Sequence, residues 1–237
     1  MNKEKIVGIL GGMGPAATID LMARILRHTP TVNEQEHIRC VVDNNPKIPS
    51  RIAAILEGSG KSPAPELVSM AQGLERWGVN FLAIPCNTAH YYYTKIANAV
   101  KIPVLNMIDL TVDEFVRRFP DTPKVGVLGS TAVVKTGLYA RKFQKFGVMV
   151  VDLPPDIQEQ LLGLIKAVKA GVDDSPIRSA FYKICEHIRN AGAEVAIIGC
   201  TELSVINGNL PVSTIDAAEI LAREIVATAK HRTAPMT

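Results

Sequence analysis

Two cysteines of this chain stand at the ends of apolar runs that are built alike. Cys86 lies in the sequence FLAIPCNTAH and Cys200 in VAIIGCTE, and the two cysteines are 114 positions apart. The glycines that precede the two runs, Gly78 and Gly192, have the same separation. A short apolar run that stops at polar residues is typical of a buried parallel strand, and ligands bind beyond the carboxyl ends of such strands. The repeat therefore predicts two thiols at equivalent edges of a ligand site.

Two thiols that flank one substrate can perform a specific kind of proton transfer. One takes a proton from one face of a carbon and the other returns a proton to the opposite face, which is racemisation or epimerisation by two bases. A cysteine thiol has a reference pKa of about 8.5, and a helix N-terminus directly after each cysteine is expected to lower it. A lone cysteine after an apolar run is more often an inert core residue, and the repetition favours chemistry. Cys40 and Cys185 have no such support, so we assign both to packing.

The elements that must position these cysteines form an alternating pattern of short apolar strands and amphipathic helices. This pattern predicts parallel sheets with crossover helices. A second repeat, in which the sequence GILG at residues 8–11 recurs as GVLG at residues 126–129, indicates two similar halves. The predicted fold class is α/β, with two similar parallel-sheet domains related by a pseudo-twofold axis and the active site in the interdomain cleft. We expect residues 1–106 and 212–237 to form the first domain and residues 107–211 the second.

Two local expectations lie beside the first cysteine. The pattern from Ala89 to Val100 predicts a helix, although three consecutive tyrosines lower its intrinsic propensity. The segment from Ile102 to Asn106 predicts a strand, and its echo later in the chain, Leu210 to Asp216, follows the second cysteine in the same way. Each cysteine is therefore expected to be followed by a helix or turn and then by another strand.

Composition excludes several classes of partner. The chain has 237 residues, 47% of them hydrophobic and 21% charged, with a formal net charge of +3 and no dense run of Lys or Arg, so no nucleic-acid partner is expected. No run reaches the roughly 18 apolar residues of a membrane span, and the N-terminus lacks the pattern of a signal peptide. These observations predict a soluble, cytoplasmic protein with reduced cysteines. The cysteines and histidines show no metal-ligand spacing, so no metal is expected.

Three separated motifs carry a family resemblance. They are Gly11-Gly12-Met13-Gly14-Pro15, Pro85-Cys86-Asn87-Thr88-Ala89-His90 and Gly199-Cys200-Thr201-Glu202. In type and order they resemble the signature stretches of the cofactor-independent aspartate/glutamate racemase family, specifically its aspartate racemase branch, and the resemblance covers nearly the whole chain. It implies pyridoxal-independent interconversion of L- and D-amino acids with no cofactor, in which Cys86 and Cys200 alternate as proton acceptor and donor, and it implies a homodimer.

The resemblance also implies which residues bind the substrate. Arg51 and Lys169 are expected to hold a side-chain carboxylate, which Arg can bind through two parallel hydrogen bonds. The residues expected at the α-carboxylate are Met13, Asn87, Thr88 and Thr201, whose N–H groups or side chains would steady the developing carbanion. Met13 and Glu202 stand where the glutamate racemase branch has a serine-containing glycine motif and a histidine. This difference favours aspartate and leaves glutamate open.

Two residues of the motifs keep alternative roles. Glu202 is expected among the substrate-binding residues, where it can orient Cys200, or it can simply favour the positive end of the following helix. His90 lies four residues after Cys86, where it can form a Cys-His pair or point elsewhere.

Other functions remain as alternatives. The sequence GMGPAA at residues 12–17 fits the GxGxxA pattern of a dinucleotide-binding oxidoreductase, but the candidate ribose-binding acid, Asp43, lies 31 residues after Gly12 instead of about 20. A thiol-dependent isomerase, decarboxylase or hydrolase could use the same scaffold. The paired cysteines argue against a non-catalytic amino-acid-binding protein.

Overall fold

A computed structural model of the protein describes residues 4–58, 60–171, 175–206 and 209–230. Internal contacts divide the chain into two units, Met1–Met107 with Ala218–Thr237, and Ile108–Ala217. The first unit contains a three-stranded sheet and the second a four-stranded sheet, and all strand pairs in both are parallel. The predicted pair of parallel-sheet α/β domains is therefore confirmed.

The first unit combines the elements of the first part of the chain with the last helix. Its strands are β1 (Val7–Gly11), β2 (Cys40–Asn44) and β3 (Phe81–Ala83). Its helices are α1 (Pro15–His28), α2 (Arg51–Leu56), α3 (Ala64–Trp77) and α4 (Tyr93–Ala97), together with α10 (Ala217–Ala229), which starts at the last residue of the second unit. Two 3₁₀ helices cover Glu34–Glu36 and Thr88–Tyr92.

The second unit follows the same plan. Its strands are β4 (Lys124–Gly129), β5 (Met149–Val151), β6 (Val195–Gly199) and β7 (Ser213–Asp216). Its helices are α5 (Met107–Arg118), which starts at the last residue of the first unit, α6 (Thr131–Lys135), α7 (Ala140–Phe143), α8 (Pro155–Lys169) and α9 (Ser175–Asn190). Two 3₁₀ helices cover Gln144–Phe146 and Leu203–Val205.

The strand order shows that the two sheets are built in the same way. It is β2-β1-β3 in the first unit and β5-β4-β6-β7 in the second, so β1 corresponds to β4 and β3 to β6. Every residue of β1, β3 and β6 is buried, as expected for parallel strands covered on both faces. Cys86 follows β3 and Cys200 follows β6. The sequence repeat thus corresponds to equivalent positions in two sheets of the same topology.

Two local expectations beside Cys86 are only partly met. The predicted strand at residues 102–106 is reduced to one bridge, Leu82 to Val104, because its partner β3 has three residues and Pro103 has no N–H to donate. The predicted helix at residues 89–100 is divided into a 3₁₀ helix and α4. The division falls within the tyrosine run, whose aromatic side chains favour helix only weakly.

The division between the units differs by a few residues from the predicted boundary at residue 212. Strand β7 pairs with β6, from Val195 beside Ser213 to Ile198 beside Asp216. This pairing keeps residues 213–216 in the second sheet, and the second unit therefore extends to Ala217.

Candidate active site

Cys86 lies in a tight turn at the carboxyl end of the first sheet. Only 7% of the residue is exposed, and its N–H donates to the Ile84 carbonyl at 2.8 Å. The next two residues, Asn87 and Thr88, are also buried, and the 3₁₀ helix starts at Thr88. The structure thus brings three of the predicted site residues together in one turn that carries a thiol, a side-chain amide and a hydroxyl.

Both ring nitrogens of His90 form hydrogen bonds with backbone groups. Its Nε2 accepts a hydrogen bond from the Met107 N–H at 3.0 Å, and its Nδ1 lies 2.9 Å from the Cys86 carbonyl oxygen. Because an N–H needs an acceptor and a carbonyl needs a donor, this pattern assigns the proton to Nδ1 of a neutral ring. The buried ring therefore binds the carbonyl of Cys86 and not its thiol. This geometry agrees with the second alternative for His90, in which the ring does not form a Cys-His pair.

The glycine motif forms the next part of the first unit's site. Thr18 on α1 accepts a hydrogen bond from the Gly12 N–H at 2.9 Å, and Gly12 has a φ of +89°. A Cβ added at Gly12 would lie 2.2 Å from the Asn45 carbonyl oxygen, so only glycine allows the Asn45 loop to approach this closely. The motif serves as a contact surface for the loop that leads to Arg51.

Arg51 connects that loop to the glycine motif. Its Nη1 donates to the Pro49 carbonyl at 3.2 Å and its Nη2 to the Met13 carbonyl at 3.4 Å. Its Nε is buried and has no hydrogen-bond partner among the described residues, and no described carboxylate forms an ion pair with this guanidinium. Buried donors in proteins are normally satisfied, so an anionic ligand fits this position.

Cys200 lies beside two charged groups in the second unit. Its Sγ donates to Glu202 Oε2 at 2.9 Å, and the other carboxylate oxygen lies 3.4 Å from Lys169 Nζ at the end of α8. Thr201 donates a longer hydrogen bond, of 3.5 Å, to the same Oε2. Cys200 is 9% exposed and Glu202 7%. Four predicted site residues of this unit therefore form one connected cluster.

The surroundings of Cys200 favour the neutral thiol. Burial raises the pKa of Cys200 well above its ordinary value, the negative charge of Glu202 raises it further, and the Lys169 ammonium group partly opposes both effects. The expectation of a thiolate stabilised at a helix N-terminus is wrong for this cysteine. Turns and a three-residue 3₁₀ helix follow Cys200, which give little helix dipole, and a carboxylate lies closest to the sulfur.

The remaining two cysteines lie outside the motifs, Cys40 half-buried and Cys185 fully buried. Burial raises the pKa of Cys40 to about 11 and that of Cys185 to about 12. Cys40 lies in β2 and Cys185 on the buried face of α9. Their assignment to packing agrees with these positions.

Several supporting residues were not expected from the sequence. Thr18 and Asn45 shape the glycine motif, and Tyr92 lies close enough to Arg51 that the cation opposes the rise in the tyrosine's pKa caused by burial. Apart from Thr18, which follows the motif along the chain, each acts on a residue far away in sequence. Nothing in the sequence indicates those contacts.

The sequence is similar to known proteins over most of its length. The profile of the Asp/Glu/Hydantoin racemase family matches residues 10–225. The chain belongs to this family. Its racemase relatives include the broad specificity amino-acid racemase RacX of Bacillus subtilis (strain 168), which is 25% identical over 229 residues that cover 94% of this chain and 97% of RacX. Racemases are isomerases, and the chain is therefore an isomerase.

Solved structures support the same placement. The aspartate racemase of Picrophilus torridus is 31% identical and superposes with a TM-score of 0.84, covering 95% of this chain and 94% of that one. An aspartate racemase homologue from Pyrococcus horikoshii OT3 is 23% identical, with a TM-score of 0.77 and coverage of 95% and 99%, and it shows the shared fold.

Within the described ranges, no helix is both long and apolar enough to cross a lipid bilayer. The same ranges contain no group of three or more His, Cys, Asp or Glu side chains arranged to hold a metal ion.

Proposed function

We propose that this protein interconverts the L- and D-forms of aspartate, glutamate or both by a pyridoxal-independent transfer of the α-proton between Cys86 and Cys200. The observation that carries the proposal is the equivalent placement of the two thiols: each is buried and follows the same strand of two sheets with the same topology. Membership of the racemase family supports the reaction type.

The reaction needs one thiolate and one thiol at the start of each turnover. The thiolate takes the α-hydrogen as a proton, and the electron pair of the broken C–H bond stays on the α-carbon. The other thiol then gives its proton to the opposite face and becomes a thiolate. Cys200, a hydrogen-bonded thiol in this structure, is set for the donor role, and Cys86 is then the acceptor.

In the reverse direction Cys200 must lose its proton before it can act as the base. Glu202 is the acceptor within reach, since its Oε2 lies 2.9 Å from the sulfur. We therefore assign Glu202 to proton exchange with Cys200, in addition to its predicted place beside the substrate. Lys169 Nζ lies 3.4 Å from the other carboxylate oxygen and holds Glu202 beside the sulfur.

The acidic substrate is supported by the cations of the two units. Arg51 has a buried donor without a partner among the described residues, and a substrate carboxylate would satisfy it. Lys169 remains a second proposed contact to the side-chain carboxylate. Met13, Asn87, Thr88 and Thr201 remain the proposed contacts to the α-carboxylate, and all four are buried beside the motifs that hold the cysteines and Arg51. RacX is named for broad specificity, so other amino acids belong in the substrate test.

We further propose that the protein is a homodimer that pairs through α1. The outward face of this helix carries Ile19, Met22 and Leu26, which are 65%, 42% and 56% exposed. Ile19 and Leu26 lie equally far from the midpoint between Met22 and Ala23. Two antiparallel α1 helices around a twofold axis would place Ile19 of each copy opposite Leu26 of the other, which is the self-complementarity that such an interface requires.

The deciding experiment is proton exchange in D₂O, followed by NMR and chiral chromatography on both enantiomers of aspartate and glutamate without added cofactor. We expect loss of optical purity together with deuterium at the α-carbon. A purified, folded protein that leaves both acids unlabelled and unracemised contradicts the proposal, and racemisation confined to neutral amino acids contradicts the assigned substrate.

Cysteine variants test the two-base assignment. Cys86→Ser and Cys200→Ser should each abolish racemisation, because each removes one acid-base group, and one variant can retain exchange of a single enantiomer. Cys40→Ser is the matched control and should remain active, since Cys40 lies in β2 away from the motifs. Full activity in either of the first two variants rules out the assignment.

A further inference from the structure

We propose that His90 and Ser204 are equivalent positioning residues, each of which ties a cysteine turn to the beginning of the next long helix. The proposal rests on the two-cysteine reaction, because it assigns one tether to each thiol. Both residues lie four positions after a cysteine, His90 after Cys86 and Ser204 after Cys200.

The first tether runs through an imidazole ring. His90 bonds the Cys86 carbonyl on one side and the N–H of Met107, the first residue of α5, on the other, at 2.9 and 3.0 Å. The histidine is buried, with 4% exposed. The ring therefore spans the space between the cysteine turn and the helix start, and it fixes the distance between them.

The second tether runs through a hydroxyl and a carboxylate. Ser204 Oγ donates to Asp216 Oδ1 at 2.8 Å, and Asp216 directly precedes α10. The Cys200 carbonyl is held by the Leu203 N–H at 3.0 Å, in the place where Cys86 uses the imidazole. The same two connections, from the cysteine carbonyl into its turn and from the turn to the next helix, are thus made by different chemical groups: one imidazole in the first unit, and a backbone N–H and a serine hydroxyl in the second.

The turns need such tethers because their backbone bonds are local. Cys86 donates to Ile84 and His90 donates to Asn87, while Leu203 donates to Cys200. These bonds shape each turn without fixing it to the rest of its unit. Long-range side-chain bonds add such a connection, over 17 residues for His90 and 12 for Ser204, and the Glu202–Lys169 pair adds another in the second unit.

The tethers have a consequence that a general stabilising role lacks. In D₂O the donor thiol carries deuterium, so the product is labelled. The recovered substrate becomes labelled only when the acceptor thiol exchanges its proton with solvent before returning it. A misplaced donor thiol gives its proton to the α-carbon more slowly, so the acceptor thiol has more time to exchange with solvent and return deuterium to the substrate. The ratio of labelled substrate to product therefore rises. It rises only for the starting enantiomer that needs this thiol as its donor.

The test measures that ratio for both enantiomers in Ser204→Ala and His90→Asn. Ser204→Ala should raise it for the enantiomer that Cys86 deprotonates, and His90→Asn for the opposite enantiomer. The turnover number should fall about tenfold or more, since misplacement of about 1 Å in an active site can cost about a hundredfold. His90→Asn keeps a donor near the Nδ1 position and loses the bond to Met107.

Controls separate positioning from stability. Ser204→Thr keeps the hydroxyl and should restore the wild-type ratio, and Asp216→Asn keeps an acceptor and should show a milder effect on the same enantiomer as Ser204→Ala. Thr228→Ala removes another hydroxyl–carboxylate bond, to Glu224 at 3.1 Å on α10, and should leave both ratios unchanged.

Three outcomes overturn the inference. If wild type and Thr228→Ala racemise normally but the two test variants change neither ratio, or both change the ratio of the same enantiomer, the tether assignment alone is wrong. Should the wild-type protein exchange no α-hydrogen, the proposed function fails as well, and the tether assignment with it.

Discussion

Cys200 lies beside a buried carboxylate and the ammonium group of a more exposed lysine in the second unit. The sulfur donates to Glu202, and Glu202 pairs with Lys169. In this arrangement the two charged groups act on the thiol in opposite directions, and burial adds to the effect of the carboxylate. A change of charge at either Glu202 or Lys169 should therefore shift the pKa of Cys200.

We expect Glu202→Gln to lower the pKa of Cys200 and Lys169→Met to raise it. A negative charge beside the sulfur disfavours thiolate, so its removal shifts ionisation to lower pH, and removal of the positive charge does the reverse. The measurement is the pH dependence of Cys200 alkylation, followed by peptide mass spectrometry in a Cys86→Ser background.

Lys166→Met is the matched control for this experiment, because Lys166 lies on the same helix with its side chain exposed. It should leave the alkylation profile of Cys200 unchanged. Shifts in the same direction for Glu202→Gln and Lys169→Met would contradict the assigned electrostatics.

Arg51 offers a second prediction at the residue scale. Arg51→Ala should raise KM for the acidic substrate by about tenfold to a hundredfold, because a charge-assisted hydrogen bond contributes roughly 1.5–3 kcal/mol. Steady-state kinetics with the enantiomer that reacts faster provides the measurement. Arg76→Ala, which removes an exposed arginine of the same unit, is the control. Unchanged constants in Arg51→Ala would remove Arg51 from the site.

At the scale of elements, the glycine motif and the Asn45 loop hold each other in place. Gly12 and Gly78 both have positive φ, +89° and +92°, but only Gly12 has neighbouring backbone where a Cβ would stand. The Asn45 backbone approaches that position to 2.2 Å, whereas nothing lies within 4 Å at Gly78. A substitution at Gly78 therefore introduces backbone strain alone, whereas a substitution at Gly12 introduces both backbone strain and a steric clash.

We expect Gly78→Ala to lower the free energy of unfolding by roughly 1–2 kcal/mol, the cost of a left-handed conformation with a Cβ. Gly12→Ala should cost more, because the Asn45 backbone must shift, and it should also raise KM, because that loop leads to Arg51. Urea unfolding and kinetics check both effects. Equal destabilisation by the two variants, with KM unchanged, would show that the close approach has no role.

At the scale of the whole molecule, the exposed apolar face of α1 predicts an association. Sedimentation equilibrium should give twice the mass of one chain for the wild type, and Ile19→Glu with Leu26→Glu should give one chain, because charges cannot be buried unpaired in an interface. Trp77→Glu changes another exposed apolar side chain of the same unit and should remain dimeric. A wild-type monomer, or a dimer that survives both α1 charges, contradicts the proposed interface.

Much of the fold could be predicted because its signals are local. Apolar runs of strand length, glycines before them and the two internal repeats are properties of neighbouring residues, and they indicated two parallel-sheet domains with a cysteine after β3 and another after β6. The same kind of signal failed at residues 102–106. There the three-residue length of the partner strand, together with the missing N–H of Pro103, limited the pairing to one bridge.

The sequence by itself determined the repeat, the two motif cysteines and the family resemblance, because each depends only on residue type and spacing. Only the tertiary structure decided the chemical state of Cys200, since desolvation and the field of Glu202 depend on how the chain packs. It also decided that His90 spans from the Cys86 carbonyl to Met107 and that Ser204 reaches Asp216. The bonds to Met107 and Asp216 join residues 17 and 12 positions apart, and folding alone brings them within hydrogen-bonding distance.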